Sequence, residues 1–381
     1  MKYIKQLDAV RAIAVLLVMI SHWVPPDYFI NKLPNGPLGV DIFFVLSGFL
    51  IAWILLANRQ KAEAEDLGKG TIIKNFYVRR TLRIFPIYYI LISLLLIFHS
   101  YTDTDIRTSY PWYFTYTSNF HIYNQGTWYG VGIVSHLWSL AVEEQFYLIW
   151  PALMLFVNRK YLLHVIYGFI AIGIVSQILL FSDSMSSVLT PTCFHAFGAG
   201  AILAWIIVYH KERLPAFYKL TKILGVIAFI LLLSIAVKPE WGVGGVFRVI
   251  SSTLGIFIIT YLVYKAPSGR LRLGFIWNNK VLIFLGKISY GLYLYHNIIP
   301  YYTNKLVLKM GISVAGLLPY KMGYLLMIGI NFVILLIISW LSWMIIEKPI
   351  LGLKKYFEYT GDEKQSHQPG IERVNEISKA G

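Results

Sequence analysis

An arginine and a histidine stand eleven positions apart in the first apolar segment, Arg11 and His22. On a helix this spacing is about three turns, so both side chains project from one face, roughly 16 Å apart along the axis. Ionisable groups at that depth in a bilayer cost about 2.5–3.5 kcal/mol each and mark a pathway or a reaction site. An imidazole supplies proton transfer near neutral pH, and a guanidinium supplies a fixed fork for an anion. Asp41 opens the second apolar segment at the depth of His22. It is expected either to orient the imidazole as a general base or to cap the helix N-terminus. Ser47, two turns deeper, is a hydroxyl for the site or, with Gly48, a close-packing step.

Three further groups carry possible chemistry. Arg79, Arg80 and Arg83 open the third apolar segment. Arg80 and Arg83 share a helix face and suit phosphate or pyrophosphate, or else anchor to anionic lipid. The fourth segment runs from His136 through Trp138 to Glu143 and Glu144. Adjacent carboxylates point about 100° apart on a helix, so they face different partners, in a reaction site or in an ion pair of the bundle. The ninth segment aligns Ser289, Tyr293 and His296 on one face, and His296 returns to the depth of His22. Lone His164 and His195 read as packing or interface residues. Ala196, Gly200 and Ala204 form a stripe of small residues for helix contact. No zinc spacing, phosphate-binding loop, dinucleotide fingerprint or nucleophile elbow occurs, so no metal is expected.

Positioning these groups requires membrane helices. Of the 381 residues 57% are apolar and only 14% charged, well below the ~25% charged of a soluble domain. Ten segments are long enough to span, near 7–24, 39–57, 84–100, 136–157, 161–181, 189–209, 222–237, 244–264, 281–300 and 322–346. The expected fold is an all-α integral membrane bundle of about ten helices. With both termini cytoplasmic, lysine and arginine crowd the inner loops, as the positive-inside rule requires, and this accounts for the net charge of +15 without nucleic acid. The start, with Lys2 and Lys5, resembles a signal peptide. Asp8 and Arg11 interrupt its apolar run and no Ala-x-Ala site follows, so it reads as a retained first span. The single cysteine, Cys193, forms no internal disulfide and reads as a packing residue. The outer loop 101–135 is rich in aromatics, Tyr110, Trp112, Tyr113, Phe114, Tyr116, Phe120, Tyr123, Trp128 and Tyr129, suited to an interface belt or to sugar faces. Residues 1–351 read as one transmembrane domain and 352–381 as a cytoplasmic tail, partly disordered, with the polar run Gly361 to Ser366.

Four blocks, in order, resemble the acyltransferase 3 family of multi-span membrane acyltransferases. They are Leu7 to Val15 with His22, Gly39 to Ile51, Arg80-Thr81-Leu82-Arg83 followed by Ile84 to Tyr89, and His136 to Pro151. Ile288 to His296 and Glu347-Lys348-Pro349 are weaker echoes, and the resemblance covers roughly residues 5–351. It implies transfer of an acyl group, usually acetyl, from cytoplasmic acyl-coenzyme A to a hydroxyl of a glycan across the cell (inner) membrane. By position it makes Arg11 and His22 the essential pair and puts Arg80 and Arg83 on the donor side; Arg79, adjacent in sequence, is expected to meet the same anionic donor. His22, oriented by Asp41 or Glu143, is then the expected general base. Ser47, Trp138, Glu144, Tyr293 and His296 are candidates for acceptor or oxyanion contacts. An acyl-enzyme on His22 or Ser47 is equally compatible. Some members of the family carry an additional extracytoplasmic esterase-like domain. The chain ends after the tenth span, so a partner protein or direct transfer is expected in that role, and a homodimer is compatible with the reading. A proton-coupled transporter is the main rival, weakened by the lack of an inverted repeat. An acyltransferase acting on a lipid or small molecule is the other.

Overall fold

The computed structural model describes residues 4–25, 28–66, 68–102, 104–128, 131–237, 244–269, 271–309 and 320–359. Every regular element among them is helical. The long helices are α1 (Gln6–Trp23), α2 (Asn35–Ala64) and α3 (Gly70–Ile97). Two short helices, α4 (Ile106–Phe114) and α5 (Ser118–Gln125), precede α6 (Trp138–Phe156). Then come α7 (Leu162–Leu179), α8 (Thr190–Tyr209), α9 (Leu214–Val237) and α10 (Gly244–Lys265). The short α11 (Gly274–Trp277) leads into α12 (Lys280–Lys287), α13 (Ser289–Tyr295) and α14 (Ile298–Lys309). A last long helix, Tyr320–Ser342, continues through a π-helical stretch, Trp343–Glu347.

Eight helices among the described residues are long and apolar enough to cross a membrane. Ile223, Leu224, Val226, Ile227, Phe229 and Ile230 of α9 are all exposed, an apolar surface suited to lipid rather than water. The two expected spans outside these eight are the fourth and the ninth. The fourth is α6, preceded by a 3-10 stretch, Gly132–Leu137, and carrying both glutamates. The ninth, expected as one helix over 281–300, is broken into α12, α13 and α14. Such irregular backbone persists in a membrane protein only where side chains or a cavity satisfy it. Here the Tyr293, Leu294 and His296 carbonyls accept hydrogen bonds from His296 Nδ1, His136 Nε2 and Trp23 Nε1.

Small residues set how closely the helices approach. A Cβ on Gly48 would strike the Phe197 carbonyl, and one on Gly200 the Val45 carbonyl, so α2 and α8 touch backbone to backbone. Ala196 and Ala204 flank that contact, fully buried. Gly39 brings α2 against Ala14 and Val18 of α1, and Gly286 brings α12 against the Asp8 backbone. Arg59, near the C-terminal end of α2, is buried. It donates to the Met154 and Val157 carbonyls at the end of α6, where a cation favours the helix dipole. Part of the expected tail is ordered. Asn75 donates to the Glu358 carbonyl and Arg79 to those of Lys354 and Phe357, tying this segment to α3. Residues 360–381, including the Gly361 to Ser366 run, lie outside the described residues, as does Tyr129.

Candidate functional site

Two adjoining cavities lie within the bundle. The first, about 90 Å³, is lined by Arg11, Arg80, Arg83, Ser47, Glu143 and Tyr147, among apolar residues of α2, α3 and α6. The second, about 400 Å³, is lined by Ser21, His22, Trp128, His136, Trp138 and Arg248. Val40 and Tyr293 line both. Because α1 is continuous, its Arg11 end opens on the first cavity and its His22 end on the second.

In the first cavity, Arg11 donates to Asp8 Oδ1 at 2.6 Å, a partner one turn back on the same helix. Arg80 lies over the rings of Phe76 and Tyr147, at 5.6 and 5.2 Å. Arg80 and Arg83 form no ion pair within 4 Å among the described residues, so their charge is available to an anion. Arg79, expected beside them, does not line the cavity. Its guanidinium is spent on the two carbonyls of the C-terminal segment and on the Tyr359 ring. Ser47 donates to Glu143 Oε1 at 2.9 Å, and Tyr147 donates to Glu143 Oε2 at 3.0 Å. Ser47 and Gly48 therefore divide the two sequence readings: the glycine packs on α8 and the serine faces the cavity. Glu144 projects elsewhere and lines neither cavity, as the helical angle between neighbours requires.

In the second cavity the partners of His22 differ from expectation. No carboxylate of the described residues bonds to it. Glu143 is in the other cavity, and Asp41 forms a buried ion pair with Arg248, whose Nε donates to Asp41 Oδ1 at 3.0 Å. Desolvation is the reason: a fully buried carboxylate is tolerated only with a matched cation, and a guanidinium fork fits it better than an imidazole. Arg248 also donates to the Ser187 carbonyl and lies over Phe44 and Trp138. The sequence reading passed over Arg248, although an arginine inside an apolar segment is the same signal that singled out Arg11.

His22 instead meets His296, with Nδ1 to Nε2 at 3.0 Å. His296 Nδ1 lies 2.6 Å from the Tyr293 carbonyl, which only accepts, so Nδ1 carries the proton and Nε2 is bare. The proton between the two rings then belongs to His22 Nδ1. That leaves His22 Nε2 with a free lone pair, the form a general base needs. His136 joins the cluster, its ring centroid 4.6 Å from that of His296. It donates to the Leu294 carbonyl and accepts from Asn297.

Between the cavities, the Tyr293 hydroxyl is hydrogen-bonded to Ser139 Oγ, and both hydroxyls reach the His136 carbonyl, at 3.2 and 3.1 Å. The two hydroxyl protons are used in this triangle, one between the oxygens and one on the carbonyl. The aromatic loop divides as well. Tyr113 and Tyr116 are buried, and burial pushes both phenols above their usual pKa, so they stay neutral and serve packing. Trp112 stacks on His121. Trp128 lines the second cavity. Among the described residues no group of three or more His, Cys, Asp or Glu side chains is arranged so that it could hold a metal ion.

A family described as an acyltransferase domain matches residues 4–344. The chain is 32% identical over 321 residues to a peptidoglycan O-acetyltransferase, OatA, of Listeria monocytogenes, covering 77% of this chain and 49% of that protein. It is 32% identical over 327 residues to a putative O-acetyltransferase of Staphylococcus aureus, covering 78% and 50%. To the O-acetyltransferase OatA of Staphylococcus aureus it is 29% identical over 333 residues, covering 80% and 51%. The chain thus spans about half the length of these relatives. No solved structure matches it. A match over nearly the whole chain, on a multi-pass helical bundle with paired arginines and an embedded histidine, makes this protein a member of the acyltransferase 3 family.

Proposed function

We propose that the protein is a membrane O-acetyltransferase. It takes an acetyl group from cytoplasmic acyl-coenzyme A and delivers it to a hydroxyl of an extracytoplasmic glycan, peptidoglycan being the acceptor named for a relative. The observation that carries this reading is the pair of adjoining cavities, one lined by Arg80 and Arg83, which have no ion-pair partner among the described residues, and the other by an exposed imidazole. The excess of lysine and arginine in one set of loops supports an inward-facing arginine end.

Coenzyme A brings several phosphate charges, which Arg80 and Arg83 suit by charge and fork geometry. Its uncharged pantetheine arm would run past Phe43, Leu46 and Leu140 of the first cavity, pointing the thioester toward Tyr293. His22 Nε2 takes the proton from the acceptor hydroxyl as the oxygen attacks the thioester carbonyl, the C–S bond breaks and the thiolate leaves. A positioned base of this kind contributes about 10²–10⁴-fold. Trp128 and Trp138 offer flat apolar faces to a sugar ring in the second cavity.

The test is acetyl transfer by His22→Ala at normal membrane abundance, followed as coenzyme A release and as acetyl mass on the glycan. A loss of about 10²-fold or more is expected. Full activity would remove His22 from the reaction.

A further inference from the structure

We infer that Tyr293 is the seal between donor and acceptor cavities, and that it sets transfer to the acceptor over loss of the acetyl group to water. The inference rests on the acyl-transfer reading. A site that receives its donor from one side of a membrane and its acceptor from the other must join two compartments, yet an open water path would hydrolyse the thioester. The partition has two shared wall residues, Val40 and Tyr293. Val40 contributes a small apolar side chain. Tyr293 contributes a ring set edge-on to Phe43, with centroids 5.9 Å apart, and a hydroxyl pinned to Ser139 and the His136 carbonyl.

The same residue also holds the base. Its backbone carbonyl accepts from His296, which in turn holds His22. With the seal closed, the phenolic proton is committed and cannot serve an oxyanion. Displacing the ring toward the acceptor side, as an incoming thioester would, joins the cavities and frees that proton beside the reacting carbonyl. One side chain thereby makes passage and oxyanion stabilisation a single event. The reaction suppressed by the seal is hydrolysis: a water oxygen bonds to the acetyl carbon, the C–S bond breaks, and acetate and coenzyme A are released.

The experiment measures coenzyme A release from acetyl-coenzyme A by the full chain in proteoliposomes, with and without glycan acceptor. Tyr293→Ala should raise acceptor-independent release by about tenfold while still binding donor. Ser139→Ala, which removes the pin and keeps the ring, should raise it by about fivefold, the worth of one hydrogen bond. If wild type transfers acetyl and neither variant raises hydrolysis, the seal is wrong and the acyl-transfer reading stands. If wild type neither binds acetyl-coenzyme A nor releases coenzyme A with acceptor present, the acyl-transfer reading itself falls. Misfolding of Tyr293→Ala would be recognised by a lowered unfolding temperature in detergent, and Ser139→Ala then decides the question.

Discussion

His22 Nδ1 and His296 Nε2 lie 3.0 Å apart, joining the first helix to the broken segment after α13. An imidazole supported by a second imidazole keeps its tautomer without a fixed charge beside it, which suits a site that must stay dry around a neutral thioester. His296→Ala should therefore lower the turnover of acetyl transfer by roughly tenfold to a hundredfold, part of the 10²–10⁴ that a positioned base contributes. The donor KM should be unchanged. His296→Gln, which restores a hydrogen-bond acceptor, should recover part of the loss; equal loss in both variants would show that His296 acts only in packing.

Asp41 and Arg248 should behave as a stability pair. Removing either partner leaves a buried uncompensated charge, at a cost of about 3–5 kcal/mol. Thermal unfolding of Asp41→Ala, Arg248→Ala and the double variant in detergent gives the coupling directly. The double variant should be less destabilised than the sum of the singles. Strict additivity would contradict the pairing.

Arg80 and Arg83 should govern donor affinity, and Arg79 should not. Each charged hydrogen bond to phosphate is worth about 1.5–3 kcal/mol, so losing one raises the donor KM roughly tenfold to a hundredfold. Arg79→Ala should leave the donor KM within about twofold and instead loosen the C-terminal segment, read as faster proteolysis after residue 352. An equal KM effect at all three arginines would return Arg79 to the donor group.

Gly200→Ala and Gly48→Ala should be poorly tolerated, because the new methyl meets backbone on the facing helix. Overpacking of this kind costs about 1–3 kcal/mol or more. Gly168 of α7 has open space where a Cβ would stand, so Gly168→Ala should stabilise by about 0.5–1 kcal/mol through helix propensity. Melting temperatures moving in opposite directions are the expected result.

Within the aromatic loop, Trp128→Ala should weaken acceptor use while the fold holds. Tyr113→Ala should destabilise it by about 3–5 kcal/mol, the usual cost of emptying a buried aromatic site. Acceptor KM and unfolding temperature separate the two.

Much of this arrangement is legible in the sequence because the bilayer imposes strong rules. Long apolar segments, the face shared by Arg11 and His22, and the divergence of Glu143 from Glu144 follow from helical period and desolvation cost alone. The small-residue stripe at Ala196, Gly200 and Ala204 likewise declares a contact before its partner helix is known. The break in the segment 281–300 was not legible. It carries no internal proline before Pro300, and its carbonyls are satisfied by side chains from α1 and the stretch before α6.

The sequence by itself determined the long apolar segments, the faces of their helices and the cost of the charges placed in them, since these depend on residues near one another in the chain. Only the tertiary structure decided the partners. Asp41 finds Arg248 from α10, Glu143 finds Ser47 from α2, and His22 finds His296. A buried polar group takes whichever complementary group the packing brings within 3 Å, and spacing along the chain does not encode which helix arrives there.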